Sequence, residues 1–208
     1  MLRSLGAFGG DGGSVHSMTD SLPVTDGGLD AVRKTLKMMG AIIRKYSSDA
    51  TTVNTARQIL MAGGVADIRS QRRQALNLIH QWVRDRIAYV YDPLGVELLQ
   101  TPPQTLKIGT GDCDDKVILE LAMLASVGFE TELLGVGGEG RGWDPGCAPQ
   151  YPGGLPAYSH VIGAVKFGKP LGRGPSFLDG WLTLDPIVRN SVPGWKPPGI
   201  RVIMPWHI

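Results

Sequence analysis

The sequence predicts an α+β domain, and three observations carry that expectation. Apolar residues recur at helical spacing through the first part of the chain, from Leu29 onward. Short β-compatible runs bounded by Gly and Pro fill the last part. Between them, the motif GDCDDK (residues 111–116) opens a helix that is nearly all apolar. That order implies a central helix packed on an antiparallel sheet, with a helical N-terminal extension.

Taken in order, residues 1–26 are rich in Gly, Ser and Asp without periodicity and read as a flexible arm unless a partner orders them. Residues 27–66 form the helical extension. Leu29, Val32, Leu36, Met39, Ile43 and Tyr46 place one apolar stripe on a first helix. A shorter helix spans Thr51 to Met61 and is stopped by Gly63 and Gly64. Residues 67–190 are the expected core. A third helix runs from Asp67 to Arg86 with Leu76, Ile79, Val83 and Ile87 on one side; Arg72, Arg73, Arg84 and Asp85 are read as solvated, and His80 as lying among them.

The period then changes. Ile87 to Tyr91 reads as a strand closed by Asp92-Pro93, and Pro102-Pro103 opens a turn or short helix carrying Gln104 and Leu106. After the GDCDDK helix, in which Lys116 and Glu120 offer a polar stripe, Thr131–Val136, His160–Phe167 and Leu178–Leu184 predict a sheet of at least three strands. Residues 137–157 form a long Gly/Pro-rich loop of the kind that is usually functional or mobile. Residues 191–208 read as an extended tail with one late strand.

Composition narrows the function classes. With 208 residues, 42% of them apolar and 19% charged, the chain can bury a core of ordinary size. A net charge of +2 with scattered basic residues implies no nucleic-acid partner. No apolar run approaches the length of a membrane span. The N-terminal MLRSLGAFGGDGGSVHSMTD lacks the apolar region of a signal peptide, so synthesis and folding in a reducing cytoplasm are expected. The two cysteines, Cys113 and Cys147, are no disulfide framework, which leaves Cys113 as a free thiol by default.

Cys113 is the centre of the chemical argument. Asp112 stands where an N-cap belongs and Asp115 three residues later, so Cys113 falls in the first turn of the helix. Free N–H groups and the helix dipole there favour thiolate, whereas the flanking carboxylates favour thiol; without a cationic partner the balance stays open. Of the four histidines, His16 lies in the arm, His80 mid-helix and His207 beside the C-terminus, while His160 opens the run HVIGAVKF just after the long loop. Asp185 closes the run WLTLD. Cys113, His160 and Asp185 thus supply nucleophile, base and orienting carboxylate. A four-ligand zinc set of Cys113, Cys147, His160 and Asp185 is the competing reading, but no CxxC or HxxxH pair nucleates it. No cofactor is called for.

GDCDDK entering an apolar helix, then SHVIGAV, then WLTLDP resembles the core of the transglutaminase-like superfamily of papain-type Cys-His-Asp enzymes over roughly residues 70–190. The resemblance implies Cys113 as nucleophile, His160 as general base and Asp185 as the group that orients the imidazole. It also implies an oxyanion site made by the Cys113 N–H and an upstream donor, for which Gln104 is a candidate. The stretch HQWVRDRIAYVYDPLGVELLQTPPQTL, residues 80–106, resembles the small transglutaminase-like proteins of tailed bacteriophages and prophages. That implies a virion or tail association, with peptide, protein or peptidoglycan amides as substrate and other tail proteins as partners. Hydrolysis is expected over cross-linking, because nothing marks a channel for a second amine. The alternative is a structural tail or baseplate protein that uses the same fold for binding.

Overall fold

The computed structural model describes residues 19–23, 29–92, 96–138, 158–168 and 180–208. The expectations for residues 1–18, for most of the 137–157 loop and for Cys147 lie outside the described residues. Within the stretch read as an arm, Thr19–Pro23 is a strand, β1. It pairs antiparallel with Val96–Gln100 (β3), a strand the sequence reading did not assign. The run VELLQ lacks strict alternation, and β1 becomes extended only because β3 supplies its ladder partner.

Helix α1 covers Leu29–Tyr46 and buries Leu36, Met39, Ile42 and Ile43, the stripe its periodicity predicts. Helix α2, Ala50–Ala62, is capped by the Asp49 carboxylate, which accepts from the Thr52 N–H at 3.0 Å. Helix α3 runs from Arg72 to Arg86, shorter at its start than expected, because Asp67 and Gln71 take up backbone N–H groups in a preceding turn. Strand β2 (Ala88–Tyr89) pairs in parallel with β4 (Thr110–Gly111). Between them lie β3 and α4, Pro102–Ile108, which starts with prolines and ends at Gly109 with φ 75°.

Helix α5, Cys113–Ser126, is the centre of the molecule. Every residue from Asp114 to Leu124 is buried, against α1, α2, α3 and α4 and against the sheet. Each large apolar side chain on it contributes roughly 1.5–3 kcal/mol by burial. A helix enclosed on all sides has no wet face, so the polar stripe expected at Lys116 and Glu120 is corrected here: both are buried. Lys116 Nζ donates to the Ile87 and Arg84 carbonyls at 2.7 and 3.2 Å, closing the C-terminal end of α3.

The main sheet holds four antiparallel strands in the order β7 (Trp181–Leu184), β6 (His160–Lys166), β5 (Thr131–Gly138), β8 (Ile200–His207). Its residues alternate between faces: Leu133, Val161 and Val165 join the helical core, whereas Leu134, Val136, Ile162 and Ala164 form a second cluster with Trp181, Ile200 and Ile203. Gly163 lets α5 come close, for a Cβ there would lie 2.8 Å from Leu121. The architecture is the α+β arrangement of central helix on antiparallel sheet that the sequence predicts. No helix among the described residues is long and apolar enough to cross a membrane.

Candidate active site

Asp112 caps α5 from an extended conformation, its carboxylate accepting from the Asp114 and Asp115 N–H groups at 3.0 and 3.2 Å. Cys113 is therefore the first helical residue, half-buried and not in a disulfide. Its backbone N–H belongs to the group of first-turn donors without an intrahelical acceptor. Its thiol lies 3.4 Å from the Asp114 carboxylate, the thiol donating.

His160 begins β6 and Asp185 directly follows β7, on neighbouring antiparallel strands whose register pairs Gly163 with Leu184. His160 Nε2 meets Asp185 Oδ2 at 3.0 Å. The carboxylate is 1% exposed and the imidazole 13%. Asp185 Oδ1 also accepts from the Ile187 N–H at 3.3 Å. Because Nε2 is taken by Asp185, Nδ1 is the ring nitrogen left to serve a second group. The base and orienting group expected from sequence are thus brought together. Helix α5 packs against β6, the strand that His160 begins, and the Lys116 ammonium interacts electrostatically with Asp185.

The other two aspartates of the motif, Asp112 and Asp115, are held by other partners. Asp115 accepts from the Gln100 N–H at 2.7 Å and from Gln100 Nε2 at 2.6 Å. Burial nevertheless pushes its carboxyl up to about 6, Gln100 and the Asp112 contact pulling the other way. The amide that reaches the motif is therefore Gln100, which the sequence reading missed; Gln104 stands half-buried on α4. Tyr89, whose strand pairs with Gly111, is raised above its usual range by burial first and then by the charges of Cys113, Asp112, Tyr91 and Asp114. A neutral phenol thus stands beside the thiol's end of α5. Its ring packs edge-on against Tyr91 with centroids 4.9 Å apart.

Behind Asp185 lies a second cluster. His80, read from sequence as lying among solvated residues, is fully buried. The correction has a physical cause: His80 shares the buried face of α3 with Leu76, Ile79 and Val83, and α5 supplies Glu120 opposite it. His80 Nδ1 lies 2.8 Å from Glu120 Oε1, and Nε2 lies 3.0 Å from Ser191 Oγ. Ser191 Oγ in turn donates to the Asp185 carbonyl at 2.6 Å. Arg84, also read as solvated, donates to the Ser191 carbonyl at 2.6 Å while its other nitrogens hold Asp85. Among the described residues no three His, Cys, Asp or Glu side chains are grouped to hold a metal ion.

No protein-family model matches the chain, and the comparison with curated proteins gives no match. Among solved structures it is similar to a proposed cysteine protease from Cytophaga hutchinsonii, with 12% identity and a TM-score of 0.39 over 65% of this chain and 37% of that one. It is also similar to a proposed protease from Parabacteroides distasonis, with 12% identity and a TM-score of 0.44 over 78% of this chain and 31% of that one. The chain spans about a third of the length of these neighbours.

Proposed function

We propose that the protein is a transglutaminase-like cysteine enzyme that cleaves amide bonds through Cys113, His160 and Asp185. The observation that carries this reading is the His160–Asp185 pair at 3.0 Å, its carboxylate buried, on neighbouring strands of which β6 packs against the helix that begins with Cys113. In this reading His160 Nδ1 takes the thiol proton and the thiolate attacks the amide carbonyl carbon. The oxyanion meets the Cys113 N–H and a second donor, for which Gln104 and the neutral Tyr89 hydroxyl are the candidates. The imidazolium then gives its proton to the leaving amine, and water, activated by the same ring, releases the acid. Asp185 fixes the ring's tautomer and offsets its charge during the cycle.

Residues 67–190 are the catalytic core in this proposal, and residues 27–66 brace its helical side. Hydrolysis is favoured over transfer to an amine. In this reading the substrate amide belongs to peptidoglycan or a virion protein, with tail proteins as partners, on the resemblance of residues 80–106 to phage proteins.

The test is the pH dependence of Cys113 alkylation by iodoacetamide in a Cys147→Ser background, compared with His160→Ala. Expected is reactivity that persists well below the free-thiol pKa of about 8.5 and is lost in His160→Ala. A Cys113 that is inert, or that behaves as a simple thiol with or without His160, overturns the enzymatic reading and leaves a structural tail protein as the better one.

A further inference from the structure

The buried cluster of α3, α5 and the segment after β7 contains titratable groups that the triad chemistry does not use. Hydrogen-bond directions within it follow from valence alone. The Asp185 carbonyl can only accept, so the single Ser191 hydroxyl proton is spent on it at 2.6 Å. The contact between Ser191 Oγ and His80 Nε2 at 3.0 Å then requires Nε2–H to donate. The Ser191 carbonyl, 3.3 Å from the same nitrogen, is also an acceptor and agrees.

With Nε2 protonated, a neutral imidazole would aim the Nδ1 lone pair at Glu120 Oε1 across 2.8 Å. A hydrogen bond there needs one more proton, carried either by Nδ1 or by the Glu120 carboxyl. The other Glu120 oxygen is buried without a hydrogen-bond partner among the described residues, so the pair is held from one side. The charges around it are Lys116 from α5, Arg84 and Asp85 from α3, and Asp185 from the segment beyond β7. Burial works against a charged His80 and is outweighed by Glu120, which leaves the ring above its ordinary value.

We propose that Glu120, His80 and Ser191 form a positioning chain that fixes the Asp185 backbone and, through the Asp185 carboxylate, the orientation of the His160 imidazole. It rests on the Cys113–His160–Asp185 reading. The chain ties α3 and α5, the helix carrying the thiol, to the residue that orients the base, so nucleophile and base are held by one set of hydrogen bonds. None of the three touches the reacting atoms.

The test uses the same alkylation profile, from about pH 5 to about pH 9, on the full chain carrying Cys147→Ser. Ser191→Ala is expected to lower the Cys113 rate near pH 6 about tenfold and move the midpoint toward that of a free thiol. Ser191→Thr, which keeps the hydroxyl, restores most of the rate. Glu120→Gln, whose amide can donate to Nδ1, stays nearer wild type than Glu120→Ala, which follows Ser191→Ala. Circular dichroism on each variant separates loss of fold from loss of positioning.

On the wild-type protein, ring nitrogen chemical shifts are expected to show His80 Nε2 protonated; a bare Nε2 overturns the chain even if no variant folds. His160→Ala and Asp185→Asn in the same series distinguish the two levels. If both match wild type, the triad reading falls and the positioning role with it. If both lose reactivity while folded Ser191→Ala matches wild type across the pH range, the positioning chain alone falls.

Discussion

At the scale of single residues, Asp115 shows how burial and hydrogen bonding compete over one carboxyl. Two donations from Gln100 favour the ionised form, yet removal from water prevails and the group titrates at about 6, above its ordinary 3.8. A folded value above the unfolded one means that Asp115's contribution to stability is present below the unfolded value. It is lost as pH rises through about 6. Asp115→Asn removes this titration. Urea midpoints measured between about pH 4 and about pH 7 should therefore fall less in Asp115→Asn than in wild type. Parallel pH slopes in the two proteins would show that Asp115 keeps its ordinary value. The sequence exposed Asp115 as part of a helix start, since a cap is local chemistry, but its Gln100 partner lies fifteen residues away on another element.

At the scale of elements, the seat of α5 on the sheet sets where the helix that starts with Cys113 lies against β6, the strand that His160 begins. That seat depends on Gly163 opposite Leu121, and Leu121 is fully buried with no room to swing aside. Gly163→Ala should cost roughly 1–3 kcal/mol by overpacking. Leu121→Ala alone should cost about 2–5 kcal/mol through the cavity it leaves. Because the two side chains share one space, the double variant is expected to be more stable than the sum of the single losses allows, as a double-mutant cycle by chemical denaturation would read. Additive losses would mean that the helix is not seated by this contact. The bounds of α1 were legible, for its stripe runs from Leu29 to Tyr46, whereas the start of α3 was not, because Asp67 and Gln71 bind backbone N–H groups in a preceding turn. Strand β1 was not, because an extended segment of TDSLP has no signal until β3 lies beside it.

At the scale of the whole molecule, segments far apart in the chain close one core. Strand β8 pairs along β5, and its Trp206 reaches the Gly40 turn of α1, where a Cβ would lie 3.1 Å from the indole nitrogen. Removing residues 200–208 would leave β5 with an unpaired edge and strip Met204 and Trp206 from the helical core. The truncated chain is expected to aggregate or to lose cooperative unfolding, read by size-exclusion chromatography and a urea titration. A soluble monomer with the wild-type midpoint would show that β8 is dispensable.

What the sequence determined by itself is what neighbours along the chain can encode. The 3–4 spacing of α1, the apolar run of α5 and the Asp112 cap depend on residues within one or two turns of one another, and all three are where the pattern places them. The positions of Cys113, His160 and Asp185 at the ends of elements were legible for the same reason. The tertiary structure alone decided which polar residues are buried. His80, Lys116 and Glu120 look solvated in a one-dimensional pattern, because the partners that satisfy them stand tens of residues away: Glu120 is 40 positions from His80, and Ser191 is 111. Burial of a polar group is offset where hydrogen bonds replace water. Those bonds exist only once α3, α5 and the Ser191 segment have been folded against one another.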